Sequence, residues 1–251
     1  MTQPSKTKPG LSVFFPAYND SGTIASLVIA AIQAARKLTN DFEVIVINDG
    51  SLDGTASIAD ELARNYPEVK VVHHPRNRGY GGALRSGFEA ATRDLVFYTD
   101  GDAQYDAKEA ALLVSAVTPT TDMVQGYKIG RGDSWYRKVL GRVYHHVVKI
   151  AFRLRVRDTD CDFRLFRRAL LEASPLRSQT GVICVELVRR FEASGARIVE
   201  VPVHHYFRPH GRSQFFRLPH ILRSARQLAA LWVALILRRD HGPAPHGVTR
   251  P

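Results

Sequence analysis

Short apolar runs alternate with longer stretches of helical spacing over the first hundred residues of the chain. Residues 11–15 (LSVFF) and 43–47 (EVIVI) are apolar or β-branched and are followed by turn-forming residues, so they predict buried strands. Residues 23–38 between them carry Ala, Ile and Leu at helical spacing. A strand, a helix and a second strand in this order are typical of a parallel sheet.

The same alternation continues to residue 98. It predicts a helix over residues 55–65, a strand over 69–73, a helix over 82–91 and a strand over 95–98. Four strands joined by helical crossovers indicate an α/β fold, and such sheets bind ligands beyond the carboxyl ends of their strands. The loops that follow the four strands are therefore the predicted place of the chemistry.

The second half of the chain is predicted to be richer in helix. The elements predicted there are helices over residues 107–117, 134–156 and 183–193, strands over 123–126 and 197–203, and a final helical stretch from Ser213 onward. No repeat or linker of biased composition divides the chain. We expect a disordered arm over residues 1–10, one domain over 11–215, an amphipathic helix over 216–240 and a flexible tail over 241–251.

The composition is that of a globular chain with a strong positive charge. The 251 residues are 45% hydrophobic and carry a net charge of +11, which predicts attraction to polyanions such as nucleic acid, an anionic membrane or phosphorylated substrates. Only two cysteines are present, Cys161 and Cys184, so a disulfide scaffold is excluded and both are expected to stay reduced.

The sequence predicts no signal peptide and no membrane-spanning helix. The longest late apolar run, residues 228–237, is ten residues long, against the roughly 20 that a spanning helix needs. Arginines and a tryptophan accompany this run: Arg223, Arg226, Trp232, Arg238 and Arg239. This pattern suits a helix lying in a membrane interface, and the alternative is a core-facing C-terminal helix.

Aspartates occur in the loops after the first two predicted strands. The first loop, PAYND, offers an aromatic face and a carboxylate to a base or a sugar. In the second, NDGSLDGT, Asp49 is placed to accept a hydrogen bond from a nucleobase, and Asp53 to cap the next helix. The alternative is that both aspartates only shape a turn and a cap.

The glycine-rich segment NRGYGGA follows the third predicted strand. It fails the dinucleotide-binding fingerprint, because Leu84 stands where a glycine or alanine is required. Its glycines are instead predicted to let the segment pack close to neighbouring backbone.

Two aspartates and a glutamine follow the fourth predicted strand, in the sequence DGDAQ. Asp100, Asp102 and the Gln104 carbonyl form a set of hard oxygen donors suited to Mg²⁺ or Mn²⁺. Such a metal would bridge a diphosphate and neutralise a departing nucleoside diphosphate. The alternative is that these carboxylates only cap a helix.

In this order, PAYND, INDGSLDGT, NRGYGGALRSG and YTDGDAQ resemble family 2 glycosyltransferases of the GT-A fold. The resemblance is closest to the branch of dolichyl-phosphate mannose synthases and polyprenyl-phosphate glycosyltransferases, and it covers roughly residues 11–215. It implies a Rossmann-like, mostly parallel central sheet flanked by helices, with a helical, basic C-terminal part. It also implies a nucleotide-sugar site with Asp100, Asp102 and Gln104 at the metal. The residues of that site are Pro16, Tyr18, Asp20, Ile47, Asp49, Asp100, Gly101, Lys128 and Gln214.

Two later motifs extend the resemblance. DCDFRLFRR is similar to the acceptor-side segment of the family, and VPVHHYFRPHGRSQ is similar to its mobile loop, with Arg208 on the donor diphosphate. Lys128 replaces an arginine of the family and keeps the charge without the bidentate fork. Gln214 stands where the synthases have lysine, and Asn48 stands where an acidic residue is usual.

The mechanism depends on the acceptor. A lipid phosphate is already ionised near neutral pH, so it would attack the anomeric carbon in line, with inversion, and would need no base. Arg208 and the metal would stabilise the leaving diphosphate, and Arg131 and Arg137 would bind the acceptor phosphate. A hydroxyl acceptor would need a base, for which Asp160 and Asp162 are the candidates.

We therefore expect a metal-dependent, inverting hexosyltransferase that uses GDP-mannose or a UDP-sugar and a polyprenyl or dolichyl phosphate. A nucleic-acid-binding module would explain the positive charge, but acidic loops repel phosphate unless a metal intervenes, so no nucleic acid is expected. A lipid-linked acceptor would bring the chain to the cytoplasmic face of a membrane. We expect it to be peripheral there, or held by a membrane-anchored partner.

Overall fold

The computed structural model describes residues 9–130, 135–207 and 218–240, with backbone alone for 135–140 and 218. The strands are β1 (Leu11–Ala17), β2 (Phe42–Asn48), β3 (Val69–His73), β4 (Leu95–Thr99), β5 (Met123–Ile129), β6 (Phe163–Arg167) and β7 (Ile198–His204). The helices are α1 (Ile24–Leu38), α2 (Thr55–Asn65), α3 (Tyr80–Ala90), α4 (Ala110–Ser115), α5 (Trp135–Phe152), α6 (Ala169–Glu172), α7 (Val182–Ala193) and α8 (Leu218–Trp232). A 3₁₀ turn, Ala107–Glu109, precedes α4, and a π-helical turn, Val233–Leu237, follows α8.

The seven strands form one sheet in the order β3-β2-β1-β4-β6-β5-β7. Strand β1 pairs in parallel with β2 and β4, and β2 pairs in parallel with β3. Strand β6 runs antiparallel between β4 and β5, while β7 is parallel to β5. The predicted α/β class with a mostly parallel central sheet is confirmed.

Helices cover both faces of the sheet, and the side chains of β1 show how the faces are divided. Phe14 belongs to an apolar cluster that includes residues of α3, α5, α7 and α8, whereas Phe15 belongs to a second cluster that includes residues of α1, α2 and α4. Both side chains are completely buried. Because both faces of β1 are covered, it reads in the sequence as a continuous apolar run, as expected for a central parallel strand.

The largest departure from the predicted elements is β6. Its sequence, FRLFR, was not predicted as a strand because two arginines interrupt its apolar residues. Arg164 is nevertheless fully buried, since hydrogen bonds satisfy its guanidinium. The helix predicted over residues 107–117 is also divided into a 3₁₀ turn and the short α4.

The C-terminal helix is longer than the ten-residue apolar run suggested. Pro219–Leu237 spans 19 residues with a mean hydropathy of 1.2, so by length and composition alone it could cross a membrane. The sequence prediction had excluded this, because it counted only the uninterrupted apolar residues. The helix also packs on the domain, where Leu231 and Leu235 are buried and the Trp232 indole donates to the Ala151 carbonyl at 3.0 Å.

A buried carboxylate joins β1, β2 and β3 at the edge opposite the predicted ligand loops. Glu43 on β2 is 1% exposed and accepts hydrogen bonds from Ser12, Lys70 and both the amide and the hydroxyl of Thr92. Burial alone would raise the pKa of Glu43, but these hydrogen bonds outweigh it and lower the pKa to about 2.

Glu43→Gln is expected to destabilise the fold at neutral pH. Because the folded-state pKa is lowered, the ionised carboxylate contributes roughly 2–3 kcal/mol above its unfolded pKa, and this is lost as the pH falls toward 2. Urea unfolding measures the difference in the free energy of unfolding between wild type and variant. This difference should be smaller at pH 3 than at pH 7 by about half or more. Glu61→Gln, on the exposed side of α2, is the control. An equal gap at both pH values would contradict this role of Glu43.

Candidate active site

The loops after β1, β2 and β4 meet at one edge of the sheet, as predicted. The Asp49 amide donates to the Ala17 carbonyl at 2.9 Å, and the Thr23 hydroxyl donates to the Gly101 carbonyl at 2.8 Å. A side chain at Gly101 would lie 2.7 Å from the Pro16 carbonyl oxygen. This close approach explains the glycine between the two aspartates of the DGD sequence.

The first loop is held by its own polar side chains. The Asp20 carboxylate accepts the Tyr18 amide at 2.9 Å, and the Asp20 amide donates to Thr55 at the start of α2. Asn19 adopts a left-handed backbone conformation, with φ of 57°, and its side chain accepts the Leu52 amide. These bonds fix Tyr18 and Asp20 beside the second loop.

Asp49 at the end of β2 holds the third loop. Its Oδ1 accepts from the His74 ring at 2.6 Å and from the Arg78 amide at 2.8 Å, and its Oδ2 accepts the Gly79 amide at 3.0 Å. His74 also pairs with Ser86 at 2.9 Å. A carboxylate has about four acceptor positions, so these three donors leave room for one more.

The adjacent histidines His73 and His74 have different partners. His73 lies against the Asn48 amide at 2.9 Å and against Asp60 at 2.9 Å. Asn48, where the family usually has an acidic residue, therefore supports β3. Ile47 lies beside Pro16 in the register of β1 and β2.

The DGD loop presents two carboxylates after β4. Asp100 accepts a hydrogen bond from the Tyr80 hydroxyl at 2.6 Å, and Asp102 accepts the Gln104 amide at 3.1 Å. Burial raises the pKa of Asp100 well above its usual range, and the nearby carboxylates of Asp162 and Asp102 raise it further. Repulsion between these carboxylates makes this edge of the sheet favourable for a cation.

The donor set suits a divalent metal that is shared with a ligand. Over the described parts of the chain, no group of three or more His, Cys, Asp or Glu side chains forms a complete ion site. Two carboxylates would fill only part of a metal's coordination shell, and Mg²⁺ commonly takes its other ligands from phosphates and water. Gln104, the third predicted ligand, donates its side-chain amide to the Tyr206 carbonyl at 3.0 Å.

The start of β6 brings a third carboxylate to this edge. Asp162 lies 3.3 Å from the Arg164 guanidinium and accepts from the Cys184 thiol at 3.0 Å. Arg164 also donates to Gln125 at 2.7 Å and contacts the Tyr98 hydroxyl. The predicted acceptor-side residue Asp162 is thereby placed beside the DGD loop.

Asp160 lies in a polar cluster with Lys128 and Asp158. Burial raises the pKa of Asp160 to about 6, Lys128 opposes the rise, and Asp158 and Asp162 add to it. The Lys128 ammonium contacts the Asp160 carbonyl, and the Lys128 amide donates to Asp158 at 3.2 Å. A carboxyl group with this pKa can take up or release a proton near neutral pH.

Several predicted site residues lie outside this description. Arg131, Arg208 and Gln214 are outside the described residues, and for Arg137 only the backbone, within α5, is described. Their roles at the diphosphate and the acceptor phosphate remain predictions from the sequence.

The sequence reasoning missed Tyr80, His74 and Cys184. Each forms a hydrogen bond with a predicted carboxylate that is distant in the sequence: Tyr80 with Asp100, His74 with Asp49 and Cys184 with Asp162. For Tyr80 the sequence did contain a signal, because this residue stands between two glycines, Gly79 and Gly81. These glycines were predicted to pack close to neighbouring backbone, and this is confirmed.

Comparison with known proteins identifies the family. The sequence profile of glycosyl transferase family 2 matches residues 12–174. The undecaprenyl-phosphate 4-deoxy-4-formamido-L-arabinose transferase of Aeromonas hydrophila is 31% identical over 229 residues, which cover 91% of this chain and 69% of that protein. Glycosyltransferase AglD of Haloferax volcanii is 29% identical over an aligned length of 260, covering 95% of this chain and 40% of that protein. The chain spans 64% of the arabinose transferase of Edwardsiella ictaluri, so it covers only part of each relative's length.

Solved structures show the same fold. Glucosyl-3-phosphoglycerate synthase from Mycobacterium tuberculosis superposes with a TM-score of 0.68 at 22% identity, covering 90% of this chain and 79% of that one. A structure of the same synthase with Mn²⁺, UDP and glucosyl-3-phosphoglycerate gives the same TM-score and coverage at 21% identity. The family profile covers more than half of the chain, and together with the 31% identical relative it shows that the chain belongs to glycosyl transferase family 2 and is a glycosyltransferase of the GT-A fold.

Proposed function

We propose that this glycosyltransferase moves a sugar from a nucleotide-sugar donor to a polyprenyl phosphate, with inversion at the anomeric carbon. The observation that carries the proposal is the meeting of Asp100, Asp102 and Asp162 at one edge of the sheet. Their proximity supports a donor side and an acceptor side that lie next to each other. The relatives named for undecaprenyl-phosphate transfer support a polyprenyl phosphate as the acceptor.

The donor nucleoside would lie in the loops after β1 and β2. Pro16, Tyr18 and Asp20 would form one wall, with Ile47 and Asp49 beside them. The acceptor position that remains on the Asp49 carboxylate suits one nucleobase N–H. Guanine and uracil both present such a group next to a carbonyl, so GDP-sugars and UDP-sugars are both candidate donors.

Asp100 and Asp102 would hold Mg²⁺ or Mn²⁺ together with the donor diphosphate. A bound divalent cation supplies positive charge that neutralises the diphosphate as it leaves. The Mn²⁺ and UDP bound to the mycobacterial synthase support this assignment. Gly101 would let the loop approach the diphosphate, and the predicted roles of Arg208 and Gln214 complete the donor side.

The acceptor phosphate needs cations rather than a base. Its oxygen is ionised near neutral pH and attacks directly, while the side chains around it hold it in line with the breaking bond. Arg131 and Arg137 are the predicted contacts of the acceptor phosphate, and Lys128, a predicted donor-side residue, lies near Asp160. The positive charge of the second half of the chain favours such an anion.

A hydroxyl acceptor is the second candidate, and the raised pKa of Asp160 favours it. A base with a pKa of about 6 can remove a proton from an attacking hydroxyl near neutral pH. In this alternative Asp160 would be the catalytic base. Asp162, which is paired with Arg164, would lie beside it.

The two acceptors are separated by a transfer assay with Asp160→Asn. We expect wild type to transfer sugar from a GDP- or UDP-sugar to polyprenyl phosphate, and the variant to retain activity within about tenfold, because no base is needed. If the acceptor is a hydroxyl, the variant should lose about 100-fold or more. Glu61→Gln, at an exposed site on α2, is the control. No transfer to polyprenyl phosphate from any nucleotide sugar would refute the lipid acceptor.

Peripheral contact with a membrane surface is the second part of the proposal. Val143, Val147 and Ile150 follow one face of α5 at helical spacing and are between 57% and 77% exposed. Leu222 and Leu237 extend the exposed apolar surface on the C-terminal helix. The two helices touch through the bond from Trp232 to Ala151. Exposed apolar residues beside arginines suit an anionic lipid interface.

Retention on anionic vesicles tests this surface. Ile150→Glu combined with Leu222→Glu should reduce retention roughly tenfold or more, because two apolar side chains would be replaced by repelled carboxylates. High salt should weaken retention of the wild type, since lipid charge is screened. Leu112→Glu, on α4 at the opposite face of the sheet, is the matched control. Equal retention of both variants would contradict the assignment of this surface.

A further inference from the structure

The C-terminal helix is connected to Asp100, in the proposed donor site, by hydrogen bonds and two short stretches of backbone. Gln227 on α8 points toward residues 178–180, which precede α7. Its side-chain carbonyl accepts from the Gln179 amide at 3.2 Å, the Thr180 amide at 3.2 Å and the Thr180 hydroxyl at 3.1 Å. Arg223, one turn earlier on α8, donates to the Gln179 side chain at 2.6 Å.

Four successive amides of this segment are bound by side chains from two helices. Glu186 on α7 accepts the Arg177 amide at 3.1 Å and the Ser178 amide at 2.8 Å, and Gln227 accepts the next two. Glu186 is itself paired with Arg190 at 3.1 Å. Gln227 therefore ties the second half of this segment to α8.

The same segment lies directly on the first turn of α3. The Gly81 amide donates to the Gln179 carbonyl at 3.0 Å. A side chain at Gly81 would lie 2.4 Å from the Ser178 carbonyl oxygen, and one at Gly79 would lie 2.8 Å from that of Gln179. With backbone against backbone, a shift of residues 178–179 must move the start of α3.

Tyr80 stands between these two glycines and reaches the donor site. Its hydroxyl donates to Asp100 at 2.6 Å. A hydrogen bond of this length to a carboxylate fixes the direction in which the second oxygen of Asp100 points.

We propose that Gln227 is a positioning residue of the donor site. Through residues 178–180 and the first turn of α3, it holds the Tyr80 hydroxyl on Asp100. This rests on the proposed role of Asp100 at the donor diphosphate. It means that the position of α8 on the domain, and therefore the helix proposed to contact the membrane, adjusts the affinity for the donor.

A double-mutant cycle tests the proposal in the full-length chain. Binding of UDP and of GDP with Mn²⁺ is measured by calorimetry for wild type, Gln227→Ala, Tyr80→Phe and the double variant. We expect Tyr80→Phe to weaken binding about tenfold and Gln227→Ala about threefold to tenfold. The double variant should bind the nucleotides about as tightly as the Tyr80→Phe variant, because both changes interrupt the same connection.

Two further variants separate positioning from a general loss of stability. Gln227→Glu keeps an oxygen that can accept the same three donors, so it should bind within about twofold of wild type. Ala225→Gln places an amide on the exposed side of α8 and should have no effect. Wild-type affinity in Gln227→Ala, or effects that simply multiply in the double variant, would overturn the proposal.

Hydrogen exchange provides a measurement that needs no ligand. Gln227→Ala should speed amide exchange in the peptide that contains Gly81, and Gln227→Glu should not. Unchanged exchange in Gln227→Ala would overturn the proposed connection whatever the nucleotide result. Faster exchange in a chain whose wild type binds no nucleotide would support the connection and refute the proposed donor function instead.

Discussion

The geometry of the site depends on a guanidinium buried in the middle of the sheet. Arg164 on β6 is fully buried between β4 and β5, where it bonds to Tyr98, Gln125 and the Thr159 carbonyl. A buried charge is tolerated only when its donors are satisfied and a counter-charge is near, and Asp162 supplies that charge at 3.3 Å. Because β6 is antiparallel to β4, its beginning lies beside the end of β4. The same pairing that stabilises Arg164 therefore delivers Asp162 to the DGD loop.

The two kinds of charge are separated along the chain, and the fold explains why. The carboxylates at the ends of β2, β4 and the segment before β6 converge on one edge of the sheet, where burial and mutual repulsion raise the pKa of Asp100. Much of the net charge of +11 comes from arginines and lysines of the second half. The proposed site, which would bind a diphosphate through a metal next to a basic surface for a second phosphate, would account for both kinds of charge.

Much of the fold follows from the hydrophobic pattern. Strand β3 and helix α2 have the predicted bounds, and the loops after β1, β2 and β4 meet where an α/β sheet places its ligand. Strand β6 could not be found in this way, because Arg164 resembles a surface residue in sequence and is buried only through partners far along the chain. The same holds for Tyr80 and His74, whose roles depend on carboxylates 20 and 25 residues away.

The central claim is that Asp100 and Asp102 bind a divalent cation together with a nucleoside diphosphate. It is tested most directly by titrating Mn²⁺, observed by electron paramagnetic resonance, into wild type and Asp102→Asn with and without UDP or GDP. Asparagine keeps an oxygen for the Gln104 amide, so the loop should survive the substitution. The account predicts about one Mn²⁺ bound per wild-type chain only when nucleotide is present, and at least tenfold weaker binding in the variant. Nucleotide binding that is equally tight in EDTA, or equal Mn²⁺ binding by the variant, would contradict it.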